Sequence, residues 1–317
     1  MKVLFVIPVY NDWDSLKELS KQIKNVSIKE KWNETELIIV NDASTKELNS
    51  SAQPFALKTT VLNLLSNQGN QKAITIGLSY IEEQIPEYDY IIIMDADGED
   101  KPLDAVNLIN EVKKNEAKKI VFATRAKRNE GPFYIFFYAI YKILFKLLTG
   151  QKINLGHFSC IPKTLLKKVL SVSGIWTHFV AALIKSKLAF STVVCDKGKR
   201  IMGNTNQNKN MLLFHGLASM AVYMEVIVLR FLLVSLIVMF FVAIFIAIIF
   251  YIKVFTALST FISPGWATNM IIGLSIIFII FLLISFISLL NLLNKNSNPN
   301  PPFKSTYKKF ILNETKF

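Results

Sequence analysis

Four carboxylates crowd into six positions directly after a hydrophobic run. Residues 91–94 read Ile-Ile-Ile-Met and are followed by Asp95, Asp97, Glu99 and Asp100. On an extended strand alternate side chains share a face, so Asp95 and Asp97 are expected to point the same way. Clustered carboxylates repel one another without a cation, and their oxygens favour a hard ion such as Mg²⁺ or Mn²⁺. The run predicts a metal site, although a solvated acidic turn has the same composition.

Three other polar turns follow apolar runs of the sequence. They are Pro8-Val9-Tyr10-Asn11-Asp12, Asn41-Asp42-Ala43-Ser44 and Asn67-Gln68-Gly69-Asn70-Gln71-Lys72. Gly69 permits close backbone approach, and the helix that follows it presents its positive N-terminus to an anion. Each turn also has a simpler interpretation, as a strand-to-helix connection with Asp or Ser capping the helix.

The elements that must position these turns alternate between two types. Runs rich in Val, Ile, Leu and Phe predict buried strands at 2–10, 36–44, 59–65, 88–95 and 118–124. Helical patterns lie between them at about 14–26, 70–84 and 102–115. This alternation predicts an α/β fold, with a mostly parallel sheet flanked by helices. Ligands of such sheets bind at the carboxyl ends of the strands, where the polar turns lie.

Two later stretches are apolar enough to cross a membrane. Residues 231–252 and 254–294 contain no Asp, Glu, Lys or Arg. Because a bilayer core needs about 20 apolar helical residues, we expect transmembrane helices at about 229–252 and 270–293. Lys-rich flanks favour a hairpin with both outer ends in the cytosol. The expected order is a domain at 1–228, the two helices, and a flexible basic cytosolic tail at 294–317.

A third apolar stretch, residues 133–149, is too short and too charged to span a membrane comfortably. We interpret it as an interfacial helix lying on the membrane, with a buried core helix as the alternative. The N-terminus lacks the long apolar core and cleavage site of a signal peptide. The expected location is therefore the cell membrane, as a multi-pass protein with a cytosolic main domain.

Charge is divided unevenly along the chain, whose net charge is +13. Residues 1–117 contain 12 Lys and Arg against 19 Asp and Glu, whereas residues 118–228 contain 17 against three. A basic region beside membrane helices favours anionic lipids as partners. Solvated lysines and nucleic acid are the other interpretations, and we expect no nucleic-acid partner. A homo-oligomer is compatible with the sequence.

Together the four motifs resemble family 2 glycosyltransferases of the GT-A fold. The similarity is greatest to the dolichol-phosphate-mannose synthase and bactoprenol glucosyltransferase branch, whose motifs read P-x-Y-N-E, V-D-D-x-S, N-x-G-x-x-x-A and D-A-D-x-Q-x-P. The matching segments begin at Pro8, Val40, Asn67 and Asp95, in the same order. They lie within residues 1–125. The resemblance implies a metal-dependent, inverting transfer from a nucleotide-diphosphate sugar at the cytosolic membrane face.

The resemblance also implies roles for single residues. Those expected to hold the nucleotide donor are Pro8, Tyr10, Asp12, Asp42, Lys72 and Asp95. Those expected to bind Mg²⁺ or Mn²⁺ are Asp95, Asp97 and Glu99, the last standing where the family has Gln. Arg125 and Arg128 match an Arg-x-x-Arg stretch, and Arg200 an R-x-x-G motif, and both motifs contact phosphates in the family. We therefore expect these three arginines to hold the phosphate of the acceptor lipid.

One family motif departs from the pattern. Where relatives read D-x-G-x-F, this chain has Asn154, Gly156, His157 and Phe158, so the family Asp is missing. A phosphate acceptor needs no general base, so a polyprenyl phosphate is the favoured acceptor. If the acceptor is instead a hydroxyl of a lipid-linked glycan, His157 is the candidate base. A non-catalytic membrane scaffold with this fold is the third hypothesis.

Overall fold

A computed structural model describes residues 1–48, 54–125, 132–151, 155–202, 209–255, 265–297 and 306–317. The chain divides into two compact units. The first comprises Met1–Ile143, Lys152–Val222 and Asn300–Phe317, and the second comprises Leu144–Gln151 and Tyr223–Pro299. The chain leaves the first unit at Val222, shortly before the boundary expected at residue 228.

The first unit contains an eight-stranded mixed sheet. Its strands are β1 (Lys2–Val9), β2 (Glu34–Asn41), β3 (Lys58–Leu64), β4 (Tyr90–Ile93), β5 (Ile120–Arg125), β6 (Ser159–Pro162), β7 (Phe190–Cys195) and β8 (Ile311–Lys316). They lie in the order β7-β5-β6-β4-β1-β2-β3-β8. Parallel pairs join β1 to β2 and β4, β2 to β3, and β5 to β7. Strands β6 and β8 are antiparallel to their neighbours, so the predicted α/β fold with a mostly parallel sheet is confirmed.

Helices pack against both faces of this sheet. They include α1 (Trp13–Lys29), α2 (Asn70–Gln84), α3 (Pro102–Lys114), α5 (Lys163–Leu170) and α6 (Phe179–Ser186). Helix α7 (Lys209–Ala221) packs against α6, and α4 (Pro132–Thr149) continues into the second unit. Phe5 and Ile7 of β1 belong to a core cluster with residues of α1 and α3. Val6 faces α2 instead, where a Cβ on Gly77 would come within 2.8 Å of its side chain. Strands buried on both faces read as continuous apolar runs, which explains why β1 to β5 were predictable.

The carboxyl ends of β1, β2 and β4 meet at one edge of the sheet. The parallel register pairs Pro8 with Val40 and Val6 with Ile93. The turns that follow these strands, including the acidic turn after β4, therefore lie side by side.

The end of the chain differs from its predicted flexible tail. Within 294–317, residues 306–317 fold into the first unit, and β8 extends the sheet by pairing with β3. Tyr307, only 2% exposed, packs edge-on against Tyr80 with ring centroids 6.3 Å apart. Main-chain pairing and this buried ring hold a segment whose own composition is largely polar.

The second unit contains two long apolar helices, α8 (Met224–Phe255) and α9 (Trp266–Ser297). By length and composition, Met224–Ile252 and Thr268–Asn291 could each cross a membrane. Their large apolar side chains are mostly exposed. The two helices meet where the Oγ atoms of Ser235 and Ser285 lie 3.2 Å apart. The predicted spans at 229–252 and 270–293 coincide with these helices.

Candidate active site

A short turn after β4 holds all four carboxylates. Asp100 Oδ2 accepts a hydrogen bond from the backbone N–H of Asp95 at 3.3 Å, and Asp97 Oδ1 accepts one from Glu99 at 2.9 Å. Gly98 has a φ of +81°, a left-handed conformation that glycine adopts without strain. The turn therefore curls back and brings the side chains of Asp95 and Asp100 together.

His157 reaches this turn from the segment before β6. Its Nε2 lies 2.9 Å from Asp95 Oδ1, and Asn70 Nδ2 donates to the same oxygen at 2.9 Å. Ligand atoms of Asp95, Asp100 and His157 all lie within 4.8 Å of one another. His157 Nε2 is buried and has no aligned hydrogen bond. A cation between these three groups would give each of them a partner.

Burial shifts the pKa values of the carboxylates in this turn. Burial, with the nearby Asp95 adding to it, raises the pKa of Asp97 to about 6. Burial and Asp95 also raise the pKa of Asp100. For Asp95 burial acts in the same direction, but the adjacent His157 prevails and lowers the pKa of this carboxyl. A divalent cation would favour the ionised forms of Asp97 and Asp100 and so oppose the effects of burial and of Asp95 on their pKa values.

Arg200 joins the ends of two strands. Its Nη2 lies 2.7 Å from both carboxylate oxygens of Asp12, and its Nη1 lies 3.3 Å from Asp97 Oδ2. The guanidinium therefore bridges the turn after β1 and the turn after β4. Arg200 was expected to bind a phosphate. It instead contacts Asp12, a predicted donor-binding residue, and Asp97, a predicted metal ligand.

The loop that carries Arg200 rests directly on the acidic turn. The backbone N–H groups of Gly198 and Ile201 donate to the carbonyls of Glu99 and Asp97, at 2.8 and 2.9 Å. A Cβ on Gly98 would lie 2.4 Å from the Ile201 side chain. Glycine at position 98 thus serves both the turn and the close approach of this loop.

Glu99 has cationic neighbours. Its Oε2 lies 2.7 Å from Lys197 Nζ and 3.8 Å from Arg125 Nη2. The structure places Asp100 and His157 with Asp95 in the possible metal group, whereas Asp97 contacts Arg200 and Glu99 contacts Lys197. The predicted set of Asp95, Asp97 and Glu99 is brought to one turn but not to one ligand cluster.

Asp42 organises the neighbouring glycine loop. Its buried carboxylate accepts hydrogen bonds from the backbone N–H groups of Gln68 at 2.6 Å and Gly69 at 2.8 Å. Burial raises the pKa of Asp42, an effect that these two bonds oppose. Pro8 is buried in β1, and Tyr10 follows it as an exposed ring. These residues line the same sheet edge, and their donor-binding roles remain predictions.

Lys72, predicted to bind the donor, is placed away from the carboxylates. Lys72 Nζ lies 6.0 Å from the centre of the Phe310 ring, and its neighbour Asn70 is the α2 residue that contacts Asp95. Arg128 lies outside the described residues. Sequence reasoning missed Asn70, Asp100 and Lys197, although Asn70 and Asp100 stand inside the quoted motifs.

A histidine pair on the same unit was also not anticipated. Nε2 of His178, at the N-cap of α6, lies 3.2 Å from Nε2 of His215 on α7. The ring centroids are 4.5 Å apart. Neither residue belongs to a recognisable motif, so only the fold could bring them together.

Fold and site together define a class. A mostly parallel sheet with an acidic D-x-D turn at its carboxyl edge, beside polar turns from its first two strands, is the GT-A-like architecture of sugar-transferring enzymes. A model of the family described as Glycosyl transferase family 2 matches residues 4–171, more than half of the chain. The chain belongs to this family.

Curated relatives support a narrower comparison. Undecaprenyl-phosphate 4-deoxy-4-formamido-L-arabinose transferase from Salmonella choleraesuis is 28% identical over 175 residues, which cover 53% of this chain and 50% of the relative. The protein of the same name from Salmonella typhimurium matches to the same extent. The chain thus spans about half the length of the curated relatives it matches.

Solved structures show the same fold at low identity. Mannosyl-3-phosphoglycerate synthase from Rubrobacter xylanophilus aligns with a TM-score of 0.51 and 18% identity, covering 70% of this chain and 72% of that one. Glucosyl-3-phosphoglycerate synthase from Mycobacterium tuberculosis, solved with Mn²⁺, UDP-glucose and phosphoglyceric acid, aligns with a TM-score of 0.53 and 15% identity. It covers 71% of this chain and 79% of its own.

Proposed function

We propose that this protein transfers a sugar from a nucleotide-diphosphate sugar to a polyprenyl phosphate at the cytosolic face of the cell membrane. The observation that carries the proposal is the group of Asp95, Asp100 and His157, whose ligand atoms lie within 4.8 Å at the carboxyl edge of the sheet. The family membership and the undecaprenyl-phosphate transferases among its relatives support the same reaction.

The residues present fit a divalent metal. Asp95 and Asp100 would supply oxygen ligands and His157 a nitrogen ligand, while Asp97 of the same turn contacts Arg200. When bound, such an ion neutralises the diphosphate leaving group. A nitrogen ligand favours Mn²⁺ over Mg²⁺, which prefers oxygen. A structure in the same fold class contains Mn²⁺ together with a UDP-sugar.

The chain's own residues would orient the donor. Asp12 and Asp42 lie at the ends of β1 and β2, where a nucleoside can be held beside the exposed Tyr10. Arg200 and Lys197 are bound to carboxylates in this structure. Either cation could turn toward the diphosphate when the carboxylates bind another partner. Attack of the acceptor from the opposite face of the sugar would invert the anomeric carbon.

The proposed role of His157 as a metal ligand favours a phosphate acceptor over a hydroxyl. Its Nε2 faces Asp95, 2.9 Å away, and a histidine that binds the metal could not also serve as the base that a hydroxyl needs. A phosphate is already ionised at neutral pH and needs no such base. Transfer to a lipid-linked glycan is the alternative. A non-catalytic scaffold is disfavoured because the four carboxylates after β4 are all present.

Membrane attachment is the third part of the proposal. The exposed side chains of α4 include Ile140, Ile143, Leu144 and Leu147, spaced as one stripe of a helix. Such a stripe suits a helix lying at the surface of a bilayer. If α8 and α9 both cross the membrane, the return of β8 to the sheet requires the intervening loop to lie on the other side.

The test is a transfer assay with purified full-length protein. A panel of nucleotide-diphosphate sugars is incubated with undecaprenyl phosphate, with Mn²⁺, Mg²⁺ or excess EDTA. We expect one donor to be used, greatest activity with Mn²⁺ and none in EDTA, and NMR should show an inverted anomeric configuration. Full activity in EDTA would remove the metal from the proposal. Use of a lipid-linked glycan but not of undecaprenyl phosphate would favour the hydroxyl-acceptor alternative.

The topology has its own test. Single cysteines placed in the loop between α8 and α9, and in the 306–317 segment, are labelled from outside intact cells in a Cys160→Ser, Cys195→Ser background. The loop cysteine should react with a membrane-impermeant reagent, and the other should react only after lysis. Labelling of both, or of neither, in intact cells would contradict the hairpin.

A further inference from the structure

The three histidines of this chain come from distant segments yet gather on one side of the site. His157 contacts Asp95, while His178 and His215 contact each other. Asp95 and His157 also lie within electrostatic reach of His215. The pair therefore lies within electrostatic reach of Asp95, and the Nε2 atom of each ring faces the Nε2 atom of the other.

The hydrogen bonds of the pair assign its protons. His178 Nδ1 accepts from the backbone N–H of Ala181 at 3.2 Å, so the proton of a neutral His178 ring is on Nε2. That Nε2–H points at His215 Nε2, which must then accept, leaving the His215 proton on Nδ1. His178 is 3% exposed, whereas His215 is exposed on α7. The buried Nε2–H group of His178 is thus covered by the more exposed ring of His215, whose Nε2 accepts its hydrogen bond.

We propose that His178 and His215 form the subsite for the phosphate monoester of the acceptor lipid. An anionic oxygen would replace His215 as the acceptor of the His178 Nε2–H bond. His215 could then turn and donate a second bond to the same phosphate. The proposal rests on the proposed function, because it names the residues of that reaction that would hold the acceptor.

The surroundings of the pair suit the headgroup of a lipid. Phe214 and Leu217, on either side of His215 along α7, are exposed apolar residues. Ser219 of the same helix lies 2.7 Å from the hydroxyl of Tyr141 on α4, the helix that carries the exposed apolar stripe. A phosphate at His215 would therefore leave its isoprenoid chain beside apolar side chains of α7.

The ion pairs of the site favour separate binding places for the donor and for the acceptor. Arg200 and Lys197 are bound to carboxylates of the strand-end turns, whereas the histidine pair is not engaged in such an ion pair among the described residues. The ionisable groups that face the pair are His157 and Asp95. The acceptor phosphate would thus approach from the side of His157.

The variants that test this separate hydrogen bonding from packing. His178→Asn keeps an N-cap acceptor for Ala181 but removes the ring donor. His215→Phe keeps a ring against His178 but cannot bond a phosphate. Ser186→Ala is the matched control, because it alters the C-terminal end of α6, the helix that His178 caps, and its Oγ contacts the backbone of Leu183 and Leu188. Initial rates are measured in full-length protein against undecaprenyl phosphate and against the nucleotide sugar.

We expect each histidine variant to raise the KM for undecaprenyl phosphate about tenfold, the loss typical of one charge-assisted hydrogen bond. The KM for the nucleotide sugar should stay within about twofold in both variants, and Ser186→Ala should resemble the native protein. If both histidine variants keep the native acceptor KM, or if they change only kcat or the donor KM, the subsite is wrong while the proposed function stands. If the native protein transfers nothing to undecaprenyl phosphate, the proposed function fails first and takes the subsite with it.

A binding measurement distinguishes the sources of phosphate. With only three histidines, ¹⁵N-histidine labelling gives few imidazole signals to follow. Farnesyl phosphate, a short-chain monoester, should shift the signals of His178 and His215. Inorganic phosphate should do so only at much higher concentration, and phosphatidylglycerol in the detergent micelle should not. Equal shifts with phosphatidylglycerol, or none with farnesyl phosphate, would overturn the assignment.

Discussion

Two stretches of the first unit divide the charges of the site between them. The carboxylates come from residues 1–117 and are Asp12, Asp95, Asp97, Glu99 and Asp100. The cations beside them come from residues 118–228 and are Arg125, His157, Lys197 and Arg200. The acidic and basic regions recognised in the sequence therefore meet inside the protein.

This difference changes how the basic region should be understood. Its excess charge predicts a surface for anionic lipids, yet several of its cations are held by carboxylates of the other stretch. Binding of a metal and a donor would then change the ion-pair partners of these carboxylates and cations. A divalent ion would take the carboxylates, and the released cations would face the new diphosphate.

The largest effect on activity is expected from removing Asp95, the carboxylate at the centre of these contacts. Asp95 contacts His157 and Asn70 and belongs to the possible metal group. We expect Asp95→Asn to lower transfer by about 100-fold, the scale of losing one electrostatic stabiliser of a reaction. Steady-state kinetics with saturating Mn²⁺ measure the loss. Asp14→Asn, an exposed acid on α1, is the control and should be near native.

Removing Arg200, which bridges Asp12 and Asp97, should have a smaller effect on activity. Catalysis should weaken, whereas metal binding should become tighter. We expect Arg200→Ala to lower kcat/KM about tenfold, because a phosphate contact is lost. The same variant should bind Mn²⁺ several-fold more tightly without nucleotide, since no guanidinium competes for Asp12 and Asp97. Calorimetry of the nucleotide-free protein measures this.

Arg200→Lys tests the geometry of that bridge. A lysine keeps the charge but cannot contact Asp12 and Asp97 through two arms at once. It should recover part of the activity and part of the competition with Mn²⁺. Unchanged Mn²⁺ affinity in Arg200→Ala would show that the bridge does not oppose metal binding.

The smallest expected effect concerns the pH dependence of stability. Burial, with His215 adding to it, lowers the pKa of His178 to about 3. An unfolded histidine binds a proton below about pH 6.5, but the folded one does not until far lower. Stability is therefore fully present above about pH 6.5 and is lost as the pH falls toward 3.

This contribution reaches roughly 2 kcal/mol between pH 7.5 and pH 5, at 1.36 kcal/mol per pH unit below the unfolded pKa. Thermal unfolding of the native protein and of His178→Asn at both pH values measures it. The variant should lose less stability on acidification than the native protein. An equal loss in both proteins would show that His178 does not carry the linkage.

The strands that were predictable are those with strong local signals. Strands β1 to β5 are buried apolar runs, and their turns carry the family motifs. Strand β6 has four residues, β7 alternates between partly exposed positions, and β8 reads Ile-Leu-Asn-Glu-Thr-Lys. Their pairing depends on a sheet edge that already exists, which no local pattern reports.

The site residues likewise include some that lie in local sequence motifs and others that only tertiary packing brings together. The carboxylates and the glycine loop lie in contiguous motifs, so the residue types alone indicated their chemistry. The contacts of Arg200 with Asp12 and of His178 with His215 join positions far apart in the chain. Such contacts follow from tertiary packing, which also determines that Arg200 and His157 lie against carboxylates.

The sheet can be completed only after β8, near the end of the sequence, has been synthesised. Strand β3 ends at Leu64, and the strand that pairs with its outer edge begins at Ile311. At about 5–20 residues per second, a ribosome needs roughly 12–50 s to make the chain between them. During that interval the edge of β3 is open to pairing with other chains. Slow insertion of α8 and α9 into a bilayer would lengthen the exposure, so defects in insertion should be seen first as aggregation of the sheet domain.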